Sequence, residues 1–478
     1  MQKAPTPLRS RLGNKIAFAL LTICLAGCTV GPNYHKPAIQ TPDSFRSPVP
    51  IPAGDQSLAD LKWWEVFKDE KLQDLEKTAL VQNYDLRDAV ARVDAARASL
   101  TITRADQFPN FAAGADVSTV RLSRNGETPL PVSFVPSQNR TFGQVTLNLL
   151  SFELDIWGRL RRATEAARAD LLASEETRKA VTTTLVSDVA GAYFSLRNLD
   201  YQLEISQRTL ATRKESLELI RNRQTGGVAT LLDLRQGEQL VYQASETIPT
   251  LQLQIEQTEN QLSLLLGENP GAVVRGRSLT EQEMPDVPPG LPSALLERRP
   301  DIRASEQSLI AANARIGVAQ AAYFPQISLS GFLGGQGTQL SSLFAGPSSV
   351  WAFTPQVTQP IFMAGRLKGN VRLNEALQRS ALIQYEKTIQ TAFSEVSNSL
   401  IAHQRVRESR VQQELLVAAL QDRTRLAYVR YRGGVDTLLN ALDADRDLFQ
   451  SELALSQTRL DELVSVVQLY KALGGGWQ

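Results

Sequence analysis

From Gly158 to about Asn222 the chain runs without a proline, in text dominated by alanine, leucine, glutamate and arginine. One helix of that length, about 65 residues, would extend on the order of 100 Å, several times the usual helix of a globular domain. It then reads "RQTGGVATLL" from Arg223 to Leu232 and becomes helical again. Some two hundred residues later the same thing is written as "RYRGGVDTLL" from Arg430 to Leu439. Glycine accepts the left-handed conformation that commonly ends a helix, so Gly226-Gly227 and Gly433-Gly434 are expected to turn two very long helices back on themselves.

The echo extends over most of the chain. "DLRDAVARVDAARASLTITRADQFPN" from Asp85 returns as "DIRASEQSLIAANARIGVAQAAYFPQ" from Asp301, with Phe108-Pro109 meeting Phe324-Pro325. Gly158-Arg159-Leu160 recurs as Gly365-Arg366-Leu367, and Leu266-Gly267 as Leu473-Gly474, at a slightly shorter offset. Two offsets mean one duplication with a shortened loop. Each copy has a short helix, a segment between landmarks, a very long helix, the double glycine and a returning helix. Val189, Leu196, Leu203, Leu210 and Leu217 fall at intervals of seven, as do Leu234, Val241, Ile248, Ile255 and Leu262 on the return. Leu442, Phe449, Leu463 and Tyr470 keep that register in the second copy, with Ser456 the exception. Sevens make antiparallel coiled-coil hairpins. Pro249 inside the first returning helix is expected to kink or locally break it.

The landmark segments change to a period of two. Phe111, Ala113, Ala115 and Val117 alternate with small or polar residues, then Val145, Leu147 and Leu149; the second copy has Ile327, Leu329 and Leu333, then Trp351, Phe353, Val357 and Ile361. These read as two β-hairpins with long Gly, Pro, Ser and Asn loops. Strands of about ten residues can cross a tilted bilayer, and Phe142, Trp157, Tyr323, Phe324 and Trp351 stand near strand ends where interfacial girdles belong. Four strands cannot close a barrel, so a membrane location requires several chains; a small soluble sheet is the other reading of the pattern.

The N-terminus has Lys3, Arg9, Arg11 and Lys15, a short apolar run from Ile16 to Leu25, and then Leu25-Ala26-Gly27-Cys28. This is the layout of an export signal, too short to remain as a span, and its end resembles the lipobox of bacterial lipoproteins, which makes Cys28 the lipidated first residue. Cys24 lies in the signal, so the mature chain has no disulfide pair. The formal charge of +1 includes the signal's four basic residues; the mature chain is slightly acidic and offers nucleic acid no basic face. No later apolar run is long enough for a helical span. The two histidines, His35 and His403, and the absence of a phosphate loop or nucleophile elbow give no enzyme site.

"CTVGPNYHKP" from Cys28, the Trp63-Trp64 pair, "NYDL" from Asn83, the duplicated landmarks and "RYRGGVDTLLNALDADR" from Arg430 together resemble the outer membrane factors, the TolC-like channels, in their lipoprotein NodT-type and OprM-like branch. The resemblance covers essentially the chain from Cys28 onward. It implies an α+β fold: a homotrimer sharing one 12-stranded barrel in the outer membrane, four strands per chain, with coiled-coil helices forming a tunnel across the periplasm. The expected layout is a signal at 1–27, an anchored and equatorial segment at 28–83, a first repeat at 84–267 (β-hairpin about 108–157, helical hairpin 158–267), an equatorial linker at 268–300, a second repeat at 301–473 (β-hairpin about 324–364, helical hairpin 365–473) and a tail at 474–478.

It further implies a passive exit duct of a tripartite efflux pump, docked to a periplasmic adaptor and an inner-membrane RND-type transporter, with no cofactor beyond the lipid on Cys28. A type I protein secretion duct and a lipid-anchored periplasmic scaffold are the alternatives. The resemblance places Leu439 and Asp443 at a periplasmic constriction, an apolar ring followed by an acidic one, since Asp436, Asn440, Asp443 and Asp447 share one helical face. Tyr431 and Arg432 are candidates to tie neighbouring helices shut. Val228 and Leu231 beside Gly226 and Gly227, with Val435 and Leu438 beside Gly433 and Gly434, are expected to offer exposed apolar knobs to the adaptor.

Overall fold

The computed structural model describes residues 29–47, 57–121, 139–285, 287, 288, 290 and 292–477; the expected signal, Cys28 and most of the loop after Arg121 lie outside them. The principal elements are α1 (Glu70–Gln82), α2 (Tyr84–Ala105), β1 (Phe111–Arg121), β2 (Asn139–Glu153), α3 (Arg159–Thr225), α4 (Leu231–Leu266), α5 (Pro300–Ala321), β3 (Gln326–Gly337), β4 (Ser349–Thr358), α6 (Arg366–Arg432) and α7 (Leu438–Ala472). The two long helices, α3 and α6, are each 67 residues. No helix among the described residues is long and apolar enough to cross a membrane.

The chain forms two compact units, and neither is one of the sequence repeats. One takes Met1–Pro37, Asp94–Ala173 and Glu306–Gln384; the other takes Ala38–Val93, Ser174–Ser305 and Tyr385–Gln478. Each repeat therefore supplies part of both.

The first unit holds an antiparallel sheet in the order β1-β2-β3-β4, so the two expected hairpins join through β2 and β3. The register sorts the side chains. Ala113 pairs with Leu147, Leu147 with Leu333 and Leu333 with Trp351, while Phe111, Leu149, Gly331 and Phe353 form the next row of the same face. The opposite face has the rows Asp116, Gln144 and Gln336, and Gly114, Thr146 and Gly334. One face is apolar and exposed, with Leu147, Leu333, Trp351 and Phe353 each more than half open, and the other is the more polar, with Phe142 and Phe332 its large apolar side chains. β4 ends at Thr358, so Ile361, expected in the last strand, lies beyond it: Pro360 has no N–H for a further rung. Pro355 is tolerated because β4 is an edge.

The segment after Thr29 is clasped in the same unit. Val30 N donates to the Trp157 carbonyl at 3.0 Å, and the buried guanidinium of Arg162 donates to Val30 O, Gly31 O and Asn33 Oδ1. Gly31 has φ +101° and lies against Gly317, where a Cβ on either residue would strike the other strand of chain. Trp157 stacks on Phe324 at 4.7 Å and donates to Pro325 O at 2.9 Å.

The second unit is helical. α4 buries Leu240, Leu251 and Leu262, and Ala244, Ile255 and Leu266, while Tyr242, Leu253 and Leu264 are exposed. α7 buries Leu438, Phe449 and Leu460, then Ala444, Leu455 and Val466. Each row steps by eleven. The sevens expected from sequence hold beside this pattern: Val241, Ile255 and Leu262 on α4 are buried, and on α7 Leu442, Phe449, Leu463 and Tyr470 are all buried, Ser456 with them. Pro249 does not break α4, which is continuous through it: Pro249 is exposed, and the Thr247 and Thr250 hydroxyls donate to the carbonyls of Gln243 and Glu246 nearby.

A polar node fastens the linker to this unit. Asp69 caps α1 through Lys71 N and Leu72 N, and its other oxygen accepts from the Tyr193 hydroxyl, Arg277 N and Gln282 Nε2. Burial raises the Asp69 pKa, but the hydrogen bonds from Gln282, Tyr193 and the backbone outweigh it and hold the carboxyl below its ordinary value. Gly276 lies so close that a Cβ would collide with Asp69 and Tyr193.

Glu76 has the opposite environment. It is 3% exposed, and burial pushes its carboxyl well above the usual 4.5. As pH rises past the unfolded value, the unfolded chain loses its proton first and folded stability falls until the raised folded value is passed. Glu76→Gln should therefore be neutral in thermal melts at pH 4 and stabilising at pH 8; equal effects at both pH values would contradict this.

Candidate functional site

The two tips are built alike at the turn and differently beyond it. Gly227 and Gly434 have φ +74° and +72°. Val228 N returns to Arg223 O at 2.8 Å and Val435 N to Arg430 O at 3.1 Å, taking up carbonyls left over at the ends of α3 and α6. A Cβ at either glycine would meet nothing within 4 Å, so backbone conformation alone demands glycine there. α4 starts with a capping box, Thr230 with Asp233. α7 has none; Asp436 instead accepts from Thr437 N and Asn440 Nδ2 and pairs with Arg430 at 3.0 Å.

Behind the tips Ile220, Leu240, Tyr431, Leu438, Ala441 and Leu442 form one buried cluster. Val228, Leu231 and Val435 are exposed, as the sequence led us to expect. Leu438 is not: at 4% exposure it belongs to this core, because the first turn of α7 points it at Tyr431 and Leu240. Tyr431 is likewise buried in its own chain, under the Arg223 guanidinium at 4.7 Å, while Arg432 is exposed. Leu439 is 52% exposed.

The acidic face of α7 is neutralised locally. Arg446 lies 3.2 Å from Asp443 and 3.3 Å from Asp447, and Arg423 of α6 reaches Asp447 at 2.8 Å. Asn440 and Arg430 hold the Asp436 carboxyl below its ordinary value, and Arg423, ahead of Arg446, does the same for Asp447. All three carboxylates therefore carry a cation from their own chain.

Sequence reasoning missed a buried ion pair near the tips. Arg213 of α3, 3% exposed, donates to Asp445 Oδ2 of α7 at 2.7 Å and to the Leu240 carbonyl of α4 at 2.9 Å. Its guanidinium also lies over the Phe449 ring at 4.9 Å. Burial pushes Asp445 upward against the pull of Arg213. Eleven residues on, Ser456 donates to Asn198, a second polar contact between α7 and α3. Asp445 falls on the side of α7 opposite the acidic face, two residues from both Asp443 and Asp447, and that placement is the only trace of it in the sequence.

Removing one partner leaves the other charge buried and alone. Arg213→Ala should cost about 3–5 kcal/mol, whereas replacing both with apolar residues, Arg213→Met with Asp445→Leu, should be close to neutral. Thermal melts of the two singles and the double check this, and equal losses in all three would contradict it.

Comparison with known proteins identifies this arrangement. The chain matches the profile of the family described as Outer membrane efflux protein over residues 75–268 and 291–475. It is 39% identical over 472 residues to the toluene efflux pump outer membrane protein TtgC of Pseudomonas putida, covering 97% of this chain and 95% of that one. It is 37% identical to outer membrane protein OprJ of Pseudomonas aeruginosa, covering 97% and 96%. The open state of the MtrE outer membrane channel of Neisseria gonorrhoeae superposes with a TM-score of 0.85 at 33% identity, covering 94% of this chain and 99% of that one. The two-faced sheet, the paired long hairpins and these likenesses over nearly the whole length lead to one conclusion: the chain belongs to the outer membrane efflux protein family.

Proposed function

We propose that the chain is the outer-membrane exit duct of a tripartite efflux pump, a conduit and not an enzyme, working as a homotrimer. The observation that carries this reading is the sheet: four strands, apolar on one face and polar on the other, with β1 and β4 both left as edges among the described residues. Edges in hydrocarbon leave backbone groups unpaired at several kcal/mol each, and a ring of identical chains removes them. The polar face then lines a passage. The relatives are named for efflux pumps, which supports small molecules as cargo.

Leu439, the exposed apolar residue just past the second tip, is positioned to narrow the ring from inside, with Asp443 one turn further along. Tyr431 supports that constriction from within its own chain. The exposed knobs Val228, Leu231 and Val435 are the surface for a periplasmic adaptor, which links the duct to an RND-type inner-membrane transporter. Cys28 carries the lipid that adds an anchor to the outer membrane.

Light scattering of the detergent-extracted protein, with detergent subtracted, should give a trimer; a monomer, supported by crosslinking in intact membranes, would overturn the reading. In planar bilayers Leu439→Ala and Asp443→Ala should raise single-channel conductance or open probability, and unchanged gating would remove both residues from the constriction. Gly434→Val strains the turn by about 1–2 kcal/mol without a collision, so export should fail while trimers persist. Loss of the trimer would make the tip purely structural.

A further inference from the structure

The connection between β3 and β4 folds back over the apolar face of the sheet. Leu343 is 3% exposed and lies in a cleft of about 410 Å³ with Ala113, Val145, Leu147 and Leu333. The seat is Gly335, where any Cβ would collide with the Leu343 carbonyl; Gly335 pairs with Val145 and Ser349, on the same face as Leu333 and Trp351. With Leu343 held down, Leu340 and Phe344 stand out at 85% and 80% exposure.

Two further features suit this connection to a nonaqueous setting. From Thr338 to Val350 it contains no charged residue. Its backbone also bonds to itself, Ser342 N and Leu343 N to Gln339 O and Leu340 O, and Ala345 N and Ser348 N to Ser342 O and Ala345 O, which lowers the cost of leaving water.

We propose that the β3–β4 connection is a membrane anchor that lays Leu340 and Phe344 into the interfacial zone of the outer leaflet. The occupant is lipid and not a second copy of the chain, because a copy pairs at the edges β1 and β4, whereas this connection covers the face of β3 and continues the apolar band of Leu333, Trp351 and Phe353. The loop lies at the strand ends away from the helices, where Leu and Phe together bury well at a lipid boundary while the seryl and glutaminyl groups stay at the headgroups. The proposal rests on the reading of the strands as membrane-spanning.

The test uses the full chain in proteoliposomes, with Phe344→Trp and, as a mid-strand reference, Leu333→Trp, each compared with the unsubstituted protein to remove the native tryptophans. The added indole signal of Phe344→Trp should be quenched several-fold more by lipids brominated near the headgroup than by lipids brominated at the chain ends, and should be shielded from aqueous iodide. Adding Gly335→Val, which unseats the connection, should expose it to iodide. Quenching of Phe344→Trp by iodide alone, with Leu333→Trp still quenched by lipid, overturns the anchor and leaves the barrel standing. Protection of Phe344→Trp from both quenchers, which a second copy over the loop would produce, also overturns it. Insensitivity of both variants to lipid overturns the barrel reading and the anchor with it.

Discussion

Backbone hydrogen bonding at a strand edge is the constraint on which the rest of this molecule depends. Among the described residues β1 and β4 each have an unpaired side, and hydrocarbon offers no water to satisfy it. On the proposed reading the chain meets this constraint in the membrane as part of a closed ring. Because the joint from β2 to α3 is short and ionically stapled, Glu153 with Arg159 at 2.6 Å and Asp155 with Arg161 at 3.2 Å, the register of β2 also fixes where α3 begins.

Within the helical unit the corresponding problem is sliding. Rows of leucine, alanine and valine at steps of eleven pack well in more than one register, since one row resembles the next. Arg213 with Asp445 and Asn198 with Ser456 break that degeneracy: a shift of one row would set the buried Arg213 guanidinium against Ser456 or Gly434 and leave it without a carboxylate. Such a pair adds little net stability, and its physical contribution here is to make the alternatives costly.

Much of the fold could be read from the residues. The double glycines, the proline-free runs, the duplication and the alternating strands are local patterns, and local patterns survive without coordinates. The exposure of Val228, Leu231 and Val435 followed from their place at a turn. What could not be read depended on residues distant in sequence. Leu438 looks like Val435 until α4 and Tyr431 are placed beside it. Asp445 looks like any other acid of "NALDADR" until Arg213 arrives from more than two hundred residues away. Arg423, from α6, changes the acidic face for the same reason, whereas Arg446, three residues from Asp443, is local and legible. Leu343 among serines carries no signal of burial at all, because its partner is the missing side chain of Gly335.

The interleaving of the two units has a consequence in time. Val30 to Asn33, near the start of the described residues, find their partners on α3 and on α5: Asn313 donates to Pro32 O across 281 positions. Leu61 waits longer, for the hydroxyl of Tyr470 across 409. The first unit lacks parts until Gln384, in α6, has emerged, and the second until α7 has. Slow closure of such long-range contacts is ordinarily a liability, since it leaves apolar surface uncovered. On the proposed reading, in which the chain crosses one membrane before it is built into another, the same delay suits export: segments that wait for distant partners stay threadable.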